Sequence, residues 1–104
     1  VHRSTLGKKI ENCFIDLLEL IFISLYLPPH QKIEKLNETA ATMDKLKFLL
    51  QIAWENKCIQ NDRFAKLSEQ LQEIGRMIGG WKKGIENRLI NKTSTHNGLQ
   101  SGRN

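Results

Sequence analysis

The stretch from Leu6 to Leu25 constrains this chain more than any other. Its spacing predicts a helix from about Thr5 to Tyr26, with Ser4 or Thr5 as N-cap. Lys8, Lys9, Asn12, Asp16 and Glu19 form one narrow polar stripe on it, and nearly everything else is apolar. A helix apolar around most of its circumference is unstable in water unless neighbours cover it on more than one side. The chain is therefore expected to be a helical bundle, with cover supplied by further helices or further subunits.

Pro28-Pro29 closes that helix and opens the next, since proline fits a first helical turn and not an interior. The second helix is expected from about His30 to Asn56. Its buried side is Ile33, Leu36, Ala40, Met43, Leu46, Leu50 and Ala53, broadened late by Leu49 and Trp54. A tight connection at Lys57 to Gln60 leads to Asn61 or Asp62, either able to cap a third helix running to about Asn91. Phe64, Leu67, Leu71, Ile74, Ile78, Trp81 and Ile85 alternate by threes and fours there, one continuous packing seam. Short connections favour antiparallel neighbours, so the expected fold is all-α, an up-down bundle over residues 1–91. The polar residues of 92–104 read as a disordered tail.

The third helix contains an anomaly. Gly75, Gly79, Gly80 and Gly84 fall inside its pattern, and each interior glycine costs roughly 1 kcal/mol relative to alanine. Four cost on the order of 4 kcal/mol, against a net domain stability of ~5–15 kcal/mol. Such residues are expected where a helix or ligand approaches bare backbone. Gly75 and Gly79 share a face with Lys82 and Glu86, while Gly80 and Gly84 repeat the spacing on an adjoining face. The net charge of +5 is concentrated in the same region. Residues 1–74 balance to zero, whereas Arg76, Lys82, Lys83, Arg88, Lys92 and Arg103 face only Glu86. That asymmetry favours a polyanionic partner, nucleic acid first, or an acidic protein surface. Arg76, Lys82, Lys83 and Arg88 are the candidate partner-binding residues; Gly75, Gly79, Gly80, Gly84 and Trp81 are the candidate helix-packing or subunit contacts. Trp81 lies on the apolar seam and is expected to pack there rather than stack on a base. Lys8, Lys9, Lys45 and Lys47 read as solvated.

Several segments resemble a known family. Leu46-Lys-Phe-Leu-Leu-Gln-Ile-Ala53, the helix end at Lys57-Cys-Ile59, Phe64 and above all Glu73-Ile-Gly-Arg-Met-Ile-Gly-Gly-Trp-Lys-Lys83 look like the accessory variability determinant (Avd) proteins of diversity-generating retroelements. Ser4-Thr-Leu-Gly-Lys-Lys-Ile-Glu11 is similar to the start of that family's second helix. The resemblance covers about residues 3–86, and its glycine-tryptophan segment is the specific part. It implies a four-helix bundle, of which three helices are present here and the first is missing, assembled as a pentameric barrel. It also implies a non-catalytic, cytoplasmic protein that binds a reverse transcriptase and its template RNA in support of mutagenic cDNA synthesis. The wider superfamily includes proteins encoded by intervening sequences of 23S ribosomal RNA genes; their Ser-Ile-Pro-type motif does not occur in this chain.

Other function classes find little support. Cys13 and Cys58 form no paired motif, and His2, His30 and His96 have no metal-ligand spacing, so neither metal nor cofactor is expected. The longest apolar stretch, Leu17 to Leu27, is interrupted by Glu19 and Ser24 and falls short of the ~20 residues a membrane helix needs. No catalytic triad order, carboxylate pair or phosphate loop is present, so neither catalysis nor a small-molecule substrate is expected. The main rival is a structural oligomerisation module whose charge is incidental.

Overall fold

The computed structural model describes the backbone of residues 3–102 and the side chains of residues 5–91. It is all-helical, with three helices and no strand among the described residues: α1 (Arg3–Leu25), α2 (Pro29–Glu55) and α3 (Asn61–Gly102). Ser4 and Thr5, expected as caps, lie inside the first turn of α1. Pro28 is the N-cap of α2, in extended conformation, and its carbonyl accepts from the backbone N–H groups of Gln31 and Lys32. The backbone of α3 is helical to Gly102, beyond the end near Asn91 suggested by the sequence.

The α2–α3 connection is a Schellman turn built without glycine. The N–H of Lys57 donates to Trp54 O, and that of Cys58 donates to Ala53 O at 2.7 Å. Lys57 occupies the left-handed region between them, at φ 59°. The turn is pinned from both sides. Trp54 stacks on Phe64 with ring centroids 4.6 Å apart, and its Nε1–H donates to Asn61 Oδ1 at 2.7 Å. The Asn61 side-chain oxygen, a candidate cap, is thus engaged by the tryptophan, while Asp62 accepts from the adjacent Arg63 N–H.

The core lies along α2. Leu36, Met43, Leu46, Leu50 and Ala53 are buried, as the spacing predicts, and Leu49 joins them. Ala40, expected inside, is exposed; Thr39 takes the buried place and donates its hydroxyl to Lys35 O at 2.8 Å. Ser24 is likewise buried, donating to Leu20 O at 2.7 Å. A hydroxyl satisfied by its own helix can be buried at little cost.

α1 and α3 both pack against α2, but no α-carbon of one comes within 8 Å of the other. The seam of α3 is split accordingly. Leu71, Ile78 and Ile85 recur at seven-residue steps and are buried against the core, whereas Leu67, Ile74 and Trp81, also seven apart, are only half-buried. Leu67 and Ile74 line an apolar slot of about 490 Å³ with Ile10 and Phe14 of α1, floored by Leu46 and Leu50. The slot continues past Ile10, Leu50 and Leu67 toward Cys58 and Ile59. No described helix is long and apolar enough to cross a membrane.

Candidate nucleic-acid interface

On the opposite side of α3, a second groove follows the α2–α3 contact. Gly75 is where the two helices come closest to filling the space above the backbone. A Cβ there would meet Met43 Sδ at 3.3 Å and Lys47 Nζ at 3.8 Å. A methyl at 75 would press on the Met43 thioether and only touch the Lys47 ammonium, so the glycine leaves room for Lys47 Nζ beside the α3 backbone. One turn further on, Gly79 continues the floor with nothing within 4 Å of its Cβ position. Leu36, Ala40, Met43 and Asp44 form the α2 wall, and Gln72, Arg76 and Lys82 complete a cavity of about 410 Å³.

The electrostatics of this groove are one-sided. Lys47, Arg76 and Lys82 converge on it and Asp44 is the one acid lining it. An ion pair lies elsewhere, between Lys35 and Glu38 at 3.0 Å, and among the described residues Lys47, Arg76 and Lys82 make none. Glu73, three residues before Arg76 on the same helix, makes no ion pair with it. Three cations without carboxylate partners, beside bare backbone, form a surface that can meet phosphate oxygens.

The other sequence candidates fall outside the groove. Lys83 is exposed on the adjoining face of α3, with Gly80. Arg88 spends its Nε–H on Gly84 O at 3.4 Å. Gly80 and Gly84, like Gly79, have nothing within 4 Å of a built Cβ. Trp81 is half-buried against the core, and Lys32 Nζ lies 5.7 Å from its ring centroid. Lys47 was the residue missed by sequence reasoning: it sits on α2, and only the pairing of the two helices brings it to Gly75.

The arrangement is suited to binding. Among the described residues no cluster of His, Cys, Asp or Glu could hold a metal ion. Burial pushes the Cys13 thiol above its ordinary range, against the opposing charge of Lys45, and its Sγ lies 3.5 Å from Thr42 O as a weak donor. A thiol held protonated and buried is a poor nucleophile.

No curated protein and no solved structure matches the chain. The sequence model of one family does, over residues 1–85, which include α1, α2, the turn between α2 and α3, and every residue lining the groove. The glycine-tryptophan segment and the helices that present it are thus those of a known lineage, and the chain belongs to the bAvd-like family.

Proposed function

We propose that this protein is a non-catalytic accessory component of a diversity-generating retroelement, binding the element's reverse transcriptase and template RNA to support mutagenic cDNA synthesis. Family membership supports an accessory role of the Avd type. The observation that carries the RNA part is the groove, where Lys47, Arg76 and Lys82 meet over bare backbone without carboxylate partners. Lys83, seven residues from Arg76 and on its side of α3 but outside the groove's lining, and Arg88, whose Nε–H bonds Gly84 O, are assigned to the protein partner.

The bundle is read as up-down. Trp54 on Phe64, Met43 beside Gly75 and Lys32 over Trp81 pair falling positions on α2 with rising ones on α3, the sense of antiparallel neighbours. The slot between α1 and α3 is open and mostly apolar, so it can take the apolar side chains of a fourth helix lying over it. Homo-oligomerisation, with five subunits, rests on family resemblance, as does a cytoplasmic site of action. Residues 92–104 are assigned no part in the bundle.

The test is reconstitution. Purified reverse transcriptase with template RNA should give cDNA only, or several-fold more, when this protein is added, and alanine at Arg76 and Lys82 should remove that gain. Equal synthesis with and without the protein would refute the accessory reading.

A further inference from the structure

We infer that the groove reads an unpaired guanine in single-stranded RNA, with Asp44 as the residue that selects it. The inference rests on the groove being the RNA site of the proposed function, and it adds the base that site prefers.

A carboxylate stands among the groove's cations without touching them. Asp44 and Arg76 each follow by one residue the contact of Met43 with Gly75, and they line the groove from facing helices. Lys47 is three residues along α2 from Asp44. Among the described residues Asp44 nevertheless has no ion-pair or hydrogen-bond partner. Opposite charges that line one cavity and stay apart leave space for a ligand that bridges them. Arg76 and Lys82 are ~9 Å apart along the helix axis. Between them Gly79 leaves open space above the backbone, and Ala40 presents only a methyl on the α2 wall. A flat ring can lie there, and the cavity of about 410 Å³ is in the size range of small-ligand sites.

A groove for phosphates alone gains nothing from Asp44. A carboxylate ~4 Å from a phosphate costs about fivefold in affinity even at the dielectric of water. Hydrogen bonds accepted from a base offset that cost. Single-stranded RNA exposes the Watson–Crick edges. Guanine alone carries two adjacent donors on that edge, N1–H and the N2 amino group, matching the two carboxylate oxygens. Adenine, cytosine and uracil each offer a single donor site. Guanine O6 and N7 accept from arginine or lysine, and Arg76 and Lys47 line the groove with Asp44. Both halves of a guanine edge therefore find partners in one groove.

The test uses the full chain and short uridine oligonucleotides carrying one central guanosine, inosine or adenosine, read by anisotropy beside circular dichroism. Inosine keeps O6, N7 and N1–H and lacks only the 2-amino group. The wild type should bind the guanosine oligonucleotide about fivefold or more tighter than the adenosine one, with inosine between. Asp44→Asn, isosteric and at an exposed position, offers one acceptor and one donor. It should abolish the guanine preference with helicity unchanged. The all-uridine oligonucleotide should bind this variant as tightly as the wild type or more so, because a repulsive charge is gone. If the variant loses helicity, the guanosine-to-inosine ratio of the wild type decides. Equal binding of the three oligonucleotides by the wild type, or a guanine preference that survives Asp44→Asn, would overturn the inference and leave the groove's phosphate role standing. No binding of any oligonucleotide at low salt would overturn both.

Discussion

Gly79→Ala separates what the glycine does for the folded chain from what it does for a partner. In the isolated protein nothing lies within 4 Å of the added methyl, and Gly79 has no positive φ to be disturbed. The substitution should therefore recover the full helical preference of alanine, roughly 1 kcal/mol. For a domain of this size that raises Tm by about 4–8 °C. Binding should move the other way. A partner seated on bare backbone must withdraw to clear the methyl, and overfilling a close contact costs ~1–3 kcal/mol, about fivefold to a hundred-and-fiftyfold in affinity. Thermal melting and RNA anisotropy on the same preparation read both effects. Gly75→Ala provides the contrast, since its methyl would press on Met43 Sδ at 3.3 Å; a flexible thioether can yield, so the gain in Tm should be smaller or absent. A more stable Gly79→Ala protein that binds reverse transcriptase and RNA as before would refute the idea that the glycine is kept for contact.

Three further outcomes follow from the packing. Lys57→Gly relieves a left-handed φ of 59° and should stabilise the chain by about 0.5–1 kcal/mol in urea unfolding; destabilisation would mean that the lysine side chain holds the turn. Leu36→Ala, at a fully buried position, should cost about 2–5 kcal/mol, whereas Ile74→Ala at the slot should cost about 1 kcal/mol in the chain alone; equal losses would show the slot already filled. Iodoacetamide should modify half-buried Cys58 well before buried Cys13, whose thiol is held protonated by burial, as peptide mapping over time would reveal.

The helices were legible because three- and four-residue spacing records which side of each is buried. Their junction was less so. Asn61 reads as a cap, yet Trp54 engages its side-chain oxygen, and a left-handed Lys57 carries no glycine to announce it. Thr39 and Ser24 read as polar and are buried, since each bonds a carbonyl one turn back on its own helix. The candidate site was half visible. Charge asymmetry along the sequence points to Arg76 and Lys82, but Lys47 is on another helix, and its place beside Gly75 depends on an inter-helix register that periodicity does not encode. The four glycines look alike as letters. In space one is enclosed by Met43 and Lys47, one continues a groove floor, and two face elsewhere.

The central claim is that Lys47, Arg76 and Lys82 form a phosphate-binding groove. Its most direct test is the salt dependence of binding to single-stranded template RNA, for the wild type and for Arg76→Ala with Lys82→Ala. Each neutralised phosphate contributes about −0.7 to the slope of log affinity against log salt. Three cations predict a wild-type contribution near −2 from each groove, falling to about −0.7 in the double variant with helicity unchanged. A wild-type slope near zero, or a slope that the two substitutions leave where it was, would contradict the account.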